Sequence, residues 1–260
     1  MSKFGRMLED LPVPSRAVLA RPPVHQVAFA LGWTQEVDFQ SDAGVRWQAA
    51  LRQHPILGNG TLTAAYLKTF AFSGESVSEG ERLDGWQVRK PEFSASLYAS
   101  TLIVEDRPYT DWDAFLEKVR PIVAALREIA APRVRTRVML RYTNIFIDQA
   151  AESPAFWRKK IRKEYLGFAD SGAAAHLTSS IGVHAFQHGT EDAQVRMSIG
   201  INRPGGGTGS MFTLDMEVNE RSITGFDTES IYAVSAAQNT ACLRIFQMVL
   251  EPKFFEKLHR

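Results

Sequence analysis

Two stretches of the chain carry apolar residues at helical spacing, and each follows a run of shorter segments that read as strands. In the first, Thr110 to Ala131, residues Trp112, Phe115, Leu116, Val119, Ile122, Val123, Leu126 and Ile129 form one apolar stripe. In the second, from about Thr228 to Leu250, residues Ile231, Val234, Leu243, Phe246, Val249 and Leu250 supply much of a similar face. A helix with one apolar face must bury it, and strands grouped ahead of each helix offer a sheet to bury it on. That order predicts an α+β fold: a largely antiparallel sheet or sheets, each covered by a long helix. The two halves then share a rough plan, although no residue-level repeat marks a duplication.

The punctuation between these elements supports the same division. Pro22-Pro23 launches a strand over Val24 to Trp33, in which Val27, Phe29 and Leu31 share a face at the period of two. A short helix from Gly44 to His54 ends at Pro55, because the residue before proline disfavours helix. Strands follow at Thr61 to Phe72 and Phe93 to Val104, with a polar loop from Gly74 to Gly85 between them. Thr110 with Asp113 resembles a capping pair. Pro121 predicts a kink or break in the helix, and Pro132 closes it. A long strand runs from Arg133 to Ile147, then strands at His176 to His188, Ala193 to Asn202 and Ser210 to Val218. Pro252 ends the last long helix, and Phe254-Phe255 are expected to pack back on the body. The expected organisation is an arm at 1–21, an α+β half at 22–147, a basic connector at 148–172 with a short helix over Pro154 to Tyr165, and a second α+β half at 173–260.

Composition narrows the setting. Sixteen Phe and five Trp in 260 residues are enough to build a core without disulfides or metal. The single Cys242 excludes an intramolecular disulfide and suits a reducing compartment. No apolar run approaches the roughly 20 residues that span a bilayer, and Met1 to Asp10 lacks the apolar core of a signal peptide. A cytoplasmic protein without a membrane partner is the expectation.

The formal charge of +1 conceals an uneven distribution. Between Arg133 and Lys163, nine basic residues (Arg133, Arg135, Arg137, Arg141, Arg158, Lys159, Lys160, Arg162, Lys163) face two acidic ones, Asp148 and Glu152. That stretch is +7 and the remainder −6. In an unbroken strand Arg133, Arg135 and Arg137 project from one face, with Arg141 continuing the row, a geometry able to grip phosphates. The cluster at 158–163, flanked by Trp157 and Tyr165, would extend the patch and offer stacking surfaces. Against this stands the plainer arrangement, in which these arginines pair with acidic residues such as Asp215, Glu217 and Glu220.

Three short motifs carry a resemblance: Arg21-Pro22-Pro23-Val24 entering a strand, Leu140-Arg141-Tyr142-Thr143-Asn144 in mid-chain, and a terminal helix ending in Phe254-Phe255. Together they resemble a sporadically distributed family of uncharacterised bacterial proteins of about 250 residues, over nearly the whole chain from Arg21 onward. The resemblance implies no enzyme activity to carry over. Its patchy occurrence is similar to that of toxin–antitoxin or phage-defence genes. Within the motif, Asn144 is a candidate ligand contact or the partner of a nearby loop backbone.

Other candidate sites are thinner. His176, His184 and His188 share strand parity, yet 176 and 184 lie about 27 Å apart along a straight strand, too far to share one ion. The run Arg203-Pro204-Gly205-Gly206-Gly207-Thr208-Gly209-Ser210 lacks the lysine and following helix of a P-loop and reads as a hairpin connection. Glu217 and Glu220 have the residue types of an acid–base pair but nothing converging on them. Gly-x-Ser-x-Gly, His-Glu-x-x-His, paired cysteines and a Rossmann fingerprint are all missing. The expectation is therefore a protein without cofactor, metal or catalytic constellation that binds a macromolecular partner, a protein encoded nearby being favoured and self-association open. The alternative is a nucleic-acid or nucleotide-binding protein using the arginine strand. A third option is a small-ligand pocket between a curved sheet and the terminal helix, lined by Phe246 or Phe29.

Overall fold

The computed structural model describes residues 11–16, 19–20, 22–34, 42–73, 76–107, 109–149, 151, 154–171, 179–187, 193–202 and 210–259. Nine antiparallel strands form one sheet: β1 (Val24–Trp33), β2 (Thr61–Ser73), β3 (Ser76–Arg89), β4 (Phe93–Tyr98), β5 (Thr101–Asp106), β6 (Val134–Asp148), β7 (Ser179–Gln187), β8 (Ala193–Asn202) and β9 (Ser210–Gly225). Their spatial order is β2-β3-β4-β5-β1-β6-β9-β8-β7. In each half the first strand pairs with the last, β1 with β5 and β6 with β9, while the strands between them meander outward. The two first strands, β1 and β6, pair with each other at the centre. The expected α+β fold with a large antiparallel sheet is therefore observed, and the sheet is single.

The helices are α1 (Ala43–Ala50), α2 (Trp112–Ala130), α3 (Thr228–Val249) and α4 (Pro252–Leu258). All four pack on the sheet face formed by Val27, Phe29 and Leu31 of β1 and their cross-strand partners Tyr142, Leu140 and Val138 of β6. Alternation along the strands places these residues on one side, so the buried aliphatic and aromatic groups form one continuous core. α1 approaches closely because Gly44 has no Cβ: one there would sit 2.4 Å from the Trp86 ring. Trp157 and Trp47 are fully buried in the same layer.

Several expectations change in informative ways. The polar segment expected as a loop at Gly74 to Gly85 is mostly β3, paired with β2 from Ser73↔Ser76 to Thr61↔Arg89. Up to Gly85 its sequence shows no hydrophobic alternation, whereas Trp86 and Val88 of the same strand pack on the core. The strand expected over Phe93 to Val104 is the hairpin β4–β5, closed by Leu97↔Leu102. Phe93, Ala95 and Leu97 have odd parity, whereas Leu102 and Val104 have even parity; the turn lets both sets face the core. α2 continues through Pro121. Pro121 and Glu117 are both exposed, so the carbonyl that loses its donor faces water. The cap of α2 is Asp111, which accepts from Ala114 N at 2.8 Å, in place of Thr110 with Asp113. The helix ends with Ala131 in the left-handed region, φ 40°, before Pro132. The connector forms three 3₁₀ turns, Pro154–Lys159, Lys163–Tyr165 and Gly167–Asp170, where one short helix was expected. No helix among the described residues is long and apolar enough to cross a membrane.

His54 ties α1 to α2 and illustrates how a buried polar group is accommodated. Its Nδ1 accepts from the backbone N–H groups of Ile56 and Leu57 at 3.1 and 3.0 Å, which leaves Nε2 as the donor to Lys118 O at 2.9 Å. The ring stacks on Phe93 at 5.5 Å. Burial pushes its pKa below the ordinary histidine value, because this site holds the neutral ring. As pH falls below about 6.5 the unfolded chain takes up the proton first, so stability is lost from there down through the lowered folded pKa. We expect the urea midpoint to fall between pH 7.5 and 5.5. In His54→Gln the midpoint at pH 7.5 should be lower and its fall with pH shallower, as equilibrium denaturation at both pH values will show.

Candidate functional site

The arginine row does not stay on one face. Gly32 of β1 pairs with Arg137, but the next residue, Trp33, pairs with Arg135, and a second register shift lies between β6 and β9 at the same place. Thr136 is thus an extra residue relative to β1, and Arg135 turns to the helix-covered face. There it is 3% exposed. Its Nη2 donates to Glu220 Oε1 and Ser222 Oγ, each at 3.1 Å, leaving Nε and Nη1 without an acceptor among the described residues. Arg137 and Arg141 remain on the opposite, uncovered face. Arg141 grips Asp215 with two hydrogen bonds of 2.8 and 2.7 Å, and Arg137 reaches Asn219 at 3.0 Å and Glu217 at 3.6 Å. Arg133 is exposed just before β6 begins. Arg135, Arg137 and Arg141 are therefore paired with Glu220, Glu217 and Asp215 of β9.

The basic connector lies on the other side of the sheet from Arg137 and Arg141. Trp157 packs on Phe212, and Lys160 lies over Phe156, Trp157 and Phe254 while bonding Asp148 at 2.6 Å. Arg158 pairs with Asp170 at 2.7 Å, and Arg162 donates from Nε to Leu250 O at 3.2 Å. Lys159 and Lys163 stand exposed. Arg137 with Arg141 and the 158–163 cluster therefore form two separate surfaces.

The remaining candidates disperse as well. Glu217 and Glu220 point to opposite faces of β9, consistent with their parity, and cannot act as a pair. His184 is exposed with its ring edge-on to Tyr165; His176, His188 and the glycine run at 203–209 lie outside the described residues. No cluster of three potential ligands is placed to hold a metal among the described residues. Cys242 is buried, and burial pushes its thiol pKa far up, so it stays protonated and unreactive.

A different site emerges between the two halves. A cavity of about 300 Å³ opens between the sheet centre and α3, walled by Pro22, Pro23, Val24, Met216, Leu243 and Phe246. Its buried polar lining includes a short chain of neutral groups. Tyr142 Oη donates to Asn239 Oδ1 at 2.9 Å and lies 3.2 Å from Tyr109 Oη, the two rings meeting edge-to-face at 5.3 Å. Asn144, 1% exposed, donates from Nδ2 to Leu214 O at 3.1 Å. Burial pushes Tyr109 up to about 12 and Tyr142 well above the ordinary tyrosine range. The charged lining residues Arg16, Asp111 and Asp113 are all exposed. Asp111 is occupied as the α2 cap, and Arg16 donates to Thr240 Oγ1 at 3.0 Å. The arm crosses α3 here, with Ser15 and Gln247 exchanging two hydrogen bonds of 3.0 and 2.8 Å, and Ala20 N reaching Leu258 O of α4.

The motifs that carried the resemblance meet around this cavity. Pro22-Pro23-Val24 forms one wall, with Pro23 O accepting from Ile145 N at 2.9 Å. Tyr142 and Asn144 form the base, and Phe255 backs Phe246 at 6.3 Å. Tyr109 and Asn239 were missed from sequence. A signal existed for Asn239: Ser235, Gln238 and Asn239 interrupt a buried helix face that would otherwise be apolar.

No protein-family model matches the chain, and no curated protein does. Among solved structures, the di-domain ARO/CYC StfQ from the steffimycin biosynthetic pathway is 11% identical over 84% of this chain and 96% of that one, with a TM-score of 0.16. A score that low carries no argument.

The register shift at Arg135 generates a prediction. Removing the guanidinium leaves a buried carboxylate without its countercharge, so Arg135→Met should cost about 3 kcal/mol. Adding Glu220→Leu should restore much of that loss. Arg141→Ala, on a side chain 48% exposed, should cost about 1 kcal/mol or less. Urea denaturation of the four chains at pH 7 measures all three values.

Proposed function

We propose that this protein is a binding module for a small, uncharged, mainly apolar molecule held between the sheet centre and α3. The observation that carries the reading is the cavity itself. Its apolar walls enclose hydrogen-bonding groups that are buried, neutral and mutually oriented. Such sites use apolar area for affinity and a few fixed polar groups for orientation. The Tyr109–Tyr142–Asn239 chain holds the rings in place, and these hydroxyls with the Asn144 amide are the groups in the lining that a ligand hydroxyl or amide would meet. A charged ligand would lose hydration without a buried countercharge to replace it. In this reading the two halves, each with a covering helix, are variations of one plan whose seam became the site. The resemblance to the sporadically distributed bacterial family fits, since its motifs line the cavity.

A second reading keeps the macromolecular partner, including a toxin–antitoxin or phage-defence setting. What favours it is the connector: Lys159 and Lys163 are exposed, and Phe168, five residues beyond Lys163, is 73% exposed. A basic surface with an aromatic group suits nucleic acid or an acidic protein. The steep salt dependence of a phosphate-binding surface, reduced in Lys159→Ala/Lys163→Ala, would distinguish it.

The cavity is tested with 1-naphthol and naphthalene by titration calorimetry. We expect 1-naphthol to bind about tenfold more tightly, the worth of one hydrogen bond at roughly 1.4 kcal/mol. Affinity should be flat from pH 6 to 8, because no cavity hydroxyl titrates there. Leu243→Trp, which fills the space, should abolish binding of both with the thermal midpoint retained. Failure of the wild-type protein to bind either probe, or indifference to Leu243→Trp, sinks the reading.

A further inference from the structure

We propose that two copies of this chain associate through β7, pairing antiparallel about a twofold axis at Val183 to extend the nine-stranded sheet across both molecules. β7 is the terminal strand and pairs only with β8, so its outer backbone groups face no described strand. It exposes apolar side chains on both faces: Ile181 is 71% and Val183 54% exposed on the uncovered face, and Phe186 is 39% exposed on the covered one. The turn Gly167–Asp170 packs beside β7, and its Phe168 is exposed as well.

Natural sheets blunt their edges with lysine, proline, bulges or covering elements. Ser179 to Gln187 contains no lysine, arginine, aspartate, glutamate or proline. Its ladder with β8 runs without a register shift. The opposite edge, β2, does carry Lys68 and a register shift at Ala65/Tyr66. The two edges thus differ, and among the described residues β7 is the edge without lysine, proline or a register shift.

The occupant is indicated by the internal match of β7 with itself. Antiparallel pairing centred on Val183 sets Ile181 opposite the second copy's Ala185, Gly182 opposite its His184 and Ser180 opposite its Phe186. Away from the axis, where Val183 meets its own copy, each large side chain faces a small one. On the uncovered face Ile181, Val183 and Ala185 of both copies form one apolar cluster. On the covered face each imidazole lies across from a glycine, so no like charges face each other in the pairs. An isologous twofold contact demands this kind of self-complementarity, whereas an unrelated strand would not.

Sedimentation and light scattering of the full chain at micromolar concentration should give twice the monomer mass of 29.0 kDa. Val183→Lys should shift it to the monomer with its circular dichroism and thermal midpoint retained. A variant-independent reading comes from cysteine pairing under oxidation. Val183→Cys sits on the axis and should link two chains, whereas Ile181→Cys lies about 14 Å from its own copy along the strands and should not. Mixed Ser180→Cys and Phe186→Cys chains should link to each other. A monomeric wild-type chain, a dimer that survives Val183→Lys, or linking of Ile181→Cys as readily as Val183→Cys would each overturn the proposal. The naphthol titration is independent of this outcome, since the cavity lies at the sheet centre.

Discussion

The antiparallel pairing of β1 with β6 is the contact on which the rest of the molecule depends. These strands begin the two halves of the chain, and their ladder runs from Val24↔Asn144 to Trp33↔Arg135. Through it two meanders become one sheet, and the helices of both halves come to share one core. It also sets the positions of both polar features of the interior. At one end, Pro23 and Val24 lie against Asn144 and Ile145, beside the cavity. At the other, the register shift turns Arg135 inward toward Glu220. Disrupting this ladder would separate the halves and expose the apolar faces of both.

The two ends handle buried polarity in opposite ways. Arg135 and Glu220 are full charges in a dry environment, where mutual attraction and the Ser222 hydroxyl must offset a large desolvation cost. Such a pair contributes little net stability, but losing one member is expensive. The cavity groups are neutral instead. Burial raises the tyrosine pKa values, so no charge needs compensation, and the hydroxyl–amide chain can remain without a countercharge. A site of this kind suits an uncharged ligand. That physical contrast, more than the size of the opening, separates a binding reading from a structural one.

Much of the fold was legible locally. The helical stripe at 112–129 and the alternation in Val24 to Trp33 each follow from burial on one face, which is a property of nearest neighbours along the chain. β3 was not legible, because the sequence from Ser76 to Gly85 shows no alternation of hydrophobicity; only Trp86 and Val88 beyond it pack on the core. The β4–β5 hairpin was half legible: the parity change between Leu97 and Leu102 required a turn, although the run reads as one strand. The candidate site was legible only in its pieces. Tyr142 and Asn144 stood in a noted motif and Phe246 in a noted stripe, but 33 residues separate Tyr109 from Tyr142 and 97 separate Tyr142 from Asn239. Nothing local links them.

The arginines show where the division falls. Sequence alone determined that strands of alternating pattern would build an antiparallel sheet with helices burying their apolar faces. It also established that positive charge is concentrated between Arg133 and Lys163. Which partner each charge meets was decided by tertiary structure. The shift at Thr136 is a mismatch between neighbouring strands, and β9 supplies its acidic side chains from about 80 residues away. Periodicity is written in the order of residues, whereas register and the partners of buried charges depend on which strands come to lie side by side.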